Sequence, residues 1–221
     1  MDRNFIVPAD SQLIIEPGTQ ILFTRSFFIE VEGSLVACGT QENIIIFDVT
    51  DTTGFHVDSI SDGGWGGIRF SGIANQADSS ILEYCRFRFG KAVSSDSLLN
   101  YGGAICIRNH SKLRISHCEF FHNFSFYNGG AIYSEKSDLH LNHCIFEQNS
   151  AGSVVEPWGY GGAICADSSG ICIVKCHFCE NSSTGTGGAI AFRFAGGKAY
   201  NSVFYKNYSA LGGGLAVLHM E

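Results

Sequence analysis

Gly129-Gly130-Ala131-Ile132, followed by Cys144-Ile145-Phe146-Glu147-Gln148-Asn149, is the stretch on which the reading of this chain turns, because both halves return in phase along it. Gly-Gly-Ala-Ile recurs at Gly102–Ile105, Gly161–Ile164 and Gly187–Ile190, closes as Gly212-Gly213-Gly214-Leu215, and has a weaker forerunner in Gly66-Gly67-Ile68. The second motif, Cys-x-Phe-x-x-Asn, follows as Cys118, Phe120, Asn123, then Cys144, Phe146, Asn149, then Cys176, Phe178, Asn181. Ser202, Phe204, Asn207 is a variant, and Cys85, Phe87, Gly90 accompanies the forerunner. Internal repetition of this kind outranks any local pattern as a guide to fold.

Each unit of about 25 residues supplies short strands with alternating apolar positions, such as Leu139, Leu141 and then Cys144, Phe146. One unit alone cannot bury its apolar side. Stacking units in register places like on like and encloses a continuous interior between parallel strands. The Gly-Gly pair predicts a tight corner needing positive φ or close approach of neighbouring coils. Asn123, Asn149, Asn181 and Asn207 predict a second corner, where Asn tolerates the left-handed region and its amide can bond its counterpart one coil away. These four are read as a structural ladder. The first 60 residues lack Gly-Gly but alternate short apolar runs (Leu13–Ile15, Ile21–Phe23, Phe28–Val31, Ile44–Phe47) with turn residues. The chain is therefore expected to be all-β: one single-stranded right-handed parallel β-helix over residues 1–221, with 1–63 as N-terminal coils and 64–221 as Gly-Gly repeat coils.

Composition narrows the function. Fourteen basic residues against 21 acidic, a net charge of −7, leave no basic run to neutralise phosphates, so nucleic acid is not an expected partner. No apolar stretch reaches the roughly 18–20 residues needed to span a bilayer. The opening Met1-Asp2-Arg3-Asn4 lacks the order of a signal peptide, and the chain reads as a piece of a longer secreted or surface protein. Nine cysteines cannot all pair within the chain and read mostly as buried thiols.

Gly-Gly-Ala-Ile with Phe-x-x-Asn, over residues 102–215, resembles the repeat of the chlamydial polymorphic membrane proteins. The front half, Leu13–Phe47 with Gly63-Gly64-Trp65-Gly66-Gly67-Ile68-Arg69-Phe70, looks like the right-handed β-helix domains of Bacteroidetes secreted and surface proteins. The resemblance implies a surface β-helix, sometimes adhesive or carbohydrate-active, associated with the outer membrane.

Three functions follow: a non-enzymatic module binding a polysaccharide or a surface protein, a pectate-lyase-like lyase or glycoside hydrolase, and a structural stalk. The enzyme would need paired acids, or a carboxylate cluster holding Ca²⁺ beside a base. Asp48, Asp51, Asp58 and Asp62, with Arg69 nearby, are read instead as solvated loop charges, so no catalytic residue is assigned, and Ca²⁺ is the one cofactor left open. Cys176 and Cys179 form a Cys-x-x-Cys whose members face opposite ways in a strand, with no second pair to complete a zinc site. The histidines at 110, 117, 122, 140, 143 and 177 read as surface decoration. The remaining signal is loop length. The intervals before Gly-Gly are 11, 5, 11, 5 and 4 residues, and insertions in a solenoid gather on one edge, often the binding edge. That edge carries Tyr101, Phe126, Tyr127, Trp158 and Tyr160, the candidate ligand-binding residues, whose rings could stack on sugars or pack on a partner.

Overall fold

A computed structural model describes residues 1–71, 80–110, 113–155 and 158–218. Its strands form parallel sheets in which each pairs with its counterpart one coil away, the topology of a parallel β-helix. The first face stacks eight strands from Phe5–Val7 to Leu215–Leu218. The second runs from Gln12–Ile15 to Gly196–Tyr200 and the third from Gln20–Phe23 to Val203–Tyr205, seven strands each. A short fourth sheet joins Lys91–Ala92, Phe124–Ser125, Ser150–Ala151 and Ser182–Ser183. The ladders cross the Gly63–Gly64 junction: Ile68–Phe70 pairs with Ile29–Val31 on one side and with Ile105–Ile107 on the other.

Register decides the core. Phe47, Phe87, Phe120, Phe146, Phe178 and Phe204 form one column, with successive ring centroids 4.7–4.9 Å apart and planes within 10°. Trp65 continues it onto Phe23 at 4.5 Å. This spacing is that of neighbouring strands, so backbone pairing and ring stacking satisfy the same repeat. Ile68, Ile105, Ile132, Ile164 and Ile190 make a parallel buried column on the first face.

The two glycines of each pair have different reasons. The first takes positive φ, +67° at Gly129 and +68° at Gly161. The second is needed for room: a Cβ on Gly130 would lie 2.1 Å from the Gly162 carbonyl oxygen. The asparagine corner corrects the sequence expectation. Left-handed φ belongs to the residue before each Asn (His122, Gln148, Glu180, Lys206), not to the Asn. The asparagines instead supply hydrogen bonds: Asn123 Nδ2 donates to Asn149 Oδ1, Asn149 Nδ2 to Asn181 Oδ1 and Asn181 Nδ2 to Asn207 Oδ1, each at 2.9 Å.

Candidate functional site: a cleft beneath the insertion loops

The outward side chains of the first face should meet solvent, yet Arg69, Cys106, Tyr133 and Cys165, in register on successive strands, are buried. Two insertions cover them. The loop before Gly102 makes one 3₁₀ turn, Ser97–Leu99, whose start is capped by the Asp96 side chain accepting from Leu98 N–H. Arg108 Nη1 donates to the Leu98 carbonyl at 2.9 Å and Arg69 Nη2 to the Leu99 carbonyl at 2.9 Å, tying this loop to the sheet. Tyr101 and, from the second insertion, Tyr160 pack against Cys106, Tyr133 and Cys165 as a small apolar layer outside the main core.

Charge is arranged along the same face. Register aligns Arg108, Glu135, Asp167 and Arg193. Arg108 Nε meets Glu135 Oε2 at 3.0 Å and Arg193 Nη1 meets Asp167 Oδ2 at 3.2 Å. The arginines also lie over tyrosines, Arg108 at 5.1 Å from the Tyr101 ring and Arg193 at 4.9 Å from Tyr160. Burial raises the Tyr101 and Tyr133 phenols, so both are neutral donors at neutral pH.

A cleft of about 700 Å³ opens where the Thr50–Gly64 loop faces the first insertion, with Ser59, Ser61, Ser94 and Ser97 on its walls and Phe126, Tyr127 at one side. A second hollow of about 400 Å³ joins it at Ser61, Val93, Ser94 and Ser95 and contains Arg69. Lys91 holds the facing loop in place. Its Nζ donates to the carbonyls of Gly54, Val57 and Asp62 at 2.9–3.0 Å, with Phe55 5.5 Å away. Burial pushes its pKa down to about 8, against the pull of Asp58 and Asp62.

The predicted aromatic edge divides. Tyr101 meets Tyr127 at 5.2 Å and Tyr133 at 4.7 Å, and Phe126 packs edge-on against Tyr127 at 5.3 Å. Tyr160 shares the column of Tyr101 with Asn128 between them, whose Oδ1 accepts from Tyr160 N–H. Trp158 is 69% exposed and lines neither hollow. The structure also adds Tyr133, Arg69, Arg108 and Arg193, which lie in strands rather than loops. Each occupies an outward position of a first-face strand, where the sequence alone does not mark the covering loops.

The acidic residues do not converge. Asp48 pairs with Arg88, Asp51 accepts from Thr53 N–H, and Arg69 turns to the insertion loop. Among the described residues no three of His, Cys, Asp or Glu gather as metal ligands would. His110 corrects the expectation of a surface position: it is buried, 5.1 Å from the Phe70 ring, and burial lowers its pKa. His117 stacks between Tyr84 and His143 on an outer corner. Cys176 is buried and Cys179 half-buried.

Among the described residues no helix is long and apolar enough to cross a membrane, which leaves strand-built spans unaddressed. No curated protein and no solved structure matches the chain. Two segments, residues 117–135 and 175–193, match the Chlamydia polymorphic membrane protein repeat. Each begins at an outer corner, passes through Phe-x-x-Asn and the Gly-Gly corner, and ends at the last residue of a first-face strand. The chain is a parallel β-helix that carries repeats of the Chlamydia polymorphic membrane protein type.

Proposed function

We propose that this chain is a non-enzymatic surface module that binds an extended glycan in the cleft between the Thr50–Gly64 loop and the first insertion. The repeat type supports a bacterial surface setting in general. The observation that carries the binding reading is the cleft itself: a concavity with serine hydroxyls and Asp62 along its walls and the Phe126–Tyr127 pair beside them. Sugars offer this surface their matching parts, hydroxyls to the serines and apolar ring faces to the aromatics. A concave cleft of this volume suits a flexible chain better than the broad surface of a folded protein. Tyr101, packed on Tyr127, is taken as the support of this wall; Tyr160 belongs to the apolar layer behind it, and Trp158 is given no contact with the ligand in the cleft.

Hydrolysis has one point in its favour, the adjacent carboxylates of Glu135 and Asp167. Each is ion-paired with its own arginine, and neither lines the cleft, so the pair serves the charge balance of the face better than proton transfer. The test is retention of the purified chain on immobilised acidic and neutral polysaccharides. Retention that is lost in a Phe126→Ala, Tyr127→Ala variant of unchanged melting temperature is the expected result. Absence of retention on every polysaccharide, or retention untouched by the double substitution, would overturn the reading.

A further inference from the structure

Arg69 is a buried cation on the first face, 5.8 Å from the Phe28 ring. It is 6% exposed, and burial lowers its pKa. Buried cations are ordinarily paired with a carboxylate, because desolvation of an isolated charge is costly. Glu30 lies opposite Arg69 in register on the neighbouring strand, but its carboxylate accepts a hydrogen bond from the Ser71 hydroxyl rather than from the guanidinium. Among the described residues no carboxylate comes within ion-pair distance of Arg69 in its place. Two of its five guanidinium N–H donors are used among the described residues, one to Leu99 O at 2.9 Å and a long one to Tyr101 O at 3.5 Å, while Nε has no partner.

The position of this charge matters as much as its isolation. Arg69 lines the hollow that continues the cleft, along with Asn4 and serines 26, 61, 94 and 95. All of these can donate hydrogen bonds, and no acidic residue lines the hollow. A neutral glycan would leave the guanidinium as it is; an anionic group would complete it. A planar carboxylate matches the fork of the guanidinium and can accept two of its N–H groups together.

We propose that Arg69 is the anchor for a carboxylate of the bound glycan, which makes the preferred ligand an acidic, uronate-containing polysaccharide. This rests on the cleft reading above. In the complex the carboxylate enters the smaller hollow and accepts from Arg69, the neighbouring serines bond its second oxygen, and the following sugar units lie in the larger cleft against Phe126 and Tyr127.

The experiment compares an oligogalacturonate with the same oligosaccharide methyl-esterified, which keeps the sugar frame and removes the charge. Titration calorimetry on the native chain is expected to give at least about tenfold tighter binding of the acid form, a difference of about 1.4 kcal/mol. Arg69→Gln should erase that preference while the ester binds as before, and Arg69→Lys should retain part of it. The native comparison stands even if Arg69→Gln fails to fold. Equal affinity for acid and ester would overturn the anchor and leave the cleft reading intact. Binding of neither would overturn the anchor, and only absence of retention on every polysaccharide would overturn the cleft reading as well.

Discussion

Asn149 hydrogen-bonds Asn181 twice through one oxygen: Asn181 Oδ1 accepts from the Asn149 backbone N–H at 3.0 Å and from its Nδ2 at 2.9 Å. The same Nδ2 also donates to the Phe120 carbonyl at 2.9 Å, and Asn149 Oδ1 accepts the matching pair from Asn123. A single buried amide thus joins three coils. Asn149→Ala would orphan the buried Asn123 N–H, at a cost of roughly 1–3 kcal/mol, and take an acceptor from Asn123 Nδ2. Thermal unfolding of this variant should show a clear drop in melting temperature with glycan retention unchanged below the transition. Unchanged melting would contradict the ladder.

The phenylalanine column makes a second demand. Phe146 is fully buried between Phe120 and Phe178, at 4.7 and 4.8 Å. Its replacement by Ala removes both stacking partners' contacts and should cost about 3–5 kcal/mol, measurable by denaturant unfolding. Phe204, at the open end of the column and 36% exposed, should cost distinctly less when truncated.

Most of the architecture was legible because the repeat writes the same instruction in every coil. Phe-x-x-Asn and Gly-Gly fix which side chains point inward, and a solenoid needs little beyond that. The asparagine corner was read with the left-handed residue one position late, since any residue type serves there: His122, Gln148, Glu180 and Lys206 share no side-chain chemistry. The cleft was less visible. Loop length located its edge and two of its aromatics, Phe126 and Tyr127, but the path of an insertion is set by tertiary bonds such as Arg108 to Leu98, which no repeat encodes. For the same reason Tyr133 and Arg69, outward in strands, gave no sign that loops would bury them. His110 was misplaced because it lies at a corner outside both motifs.

Lys91 predicts a pH dependence of definite sign. Its pKa is about 8 in the fold against 10.5 unperturbed. Between these values the unfolded chain binds more protons than the folded one, so this residue's contribution to stability rises with pH from about 8 to 10.5. Buried thiols and tyrosines titrate nearby, so the measurement is the difference between the native chain and Lys91→Met. That difference should grow in favour of the native chain across the window. At neutral pH Lys91→Met strands three carbonyls and should speed hydrogen exchange in the Thr50–Gly64 loop.

Thiol reactivity gives an independent check of burial. Of nine cysteines, Cys38, Cys172 and Cys179 are partly exposed and the others buried. Burial also raises the thiols of Cys106, Cys118, Cys144 and Cys165, which keeps them protonated and unreactive. A thiol reagent at neutral pH should label no more than those three before unfolding, with mass spectrometry locating the adducts. Rapid native labelling of Cys118 or Cys144 would contradict the coil interior.

The most direct test of glycan binding in the cleft is hydrogen–deuterium exchange of the native chain with and without an oligogalacturonate. The account predicts slowed exchange confined to residues 26–28, 59–62, 66–69, 93–100 and 126–127, which line the larger cleft and the hollow at Arg69. Protection elsewhere on the solenoid, or none at saturating oligosaccharide, would contradict it.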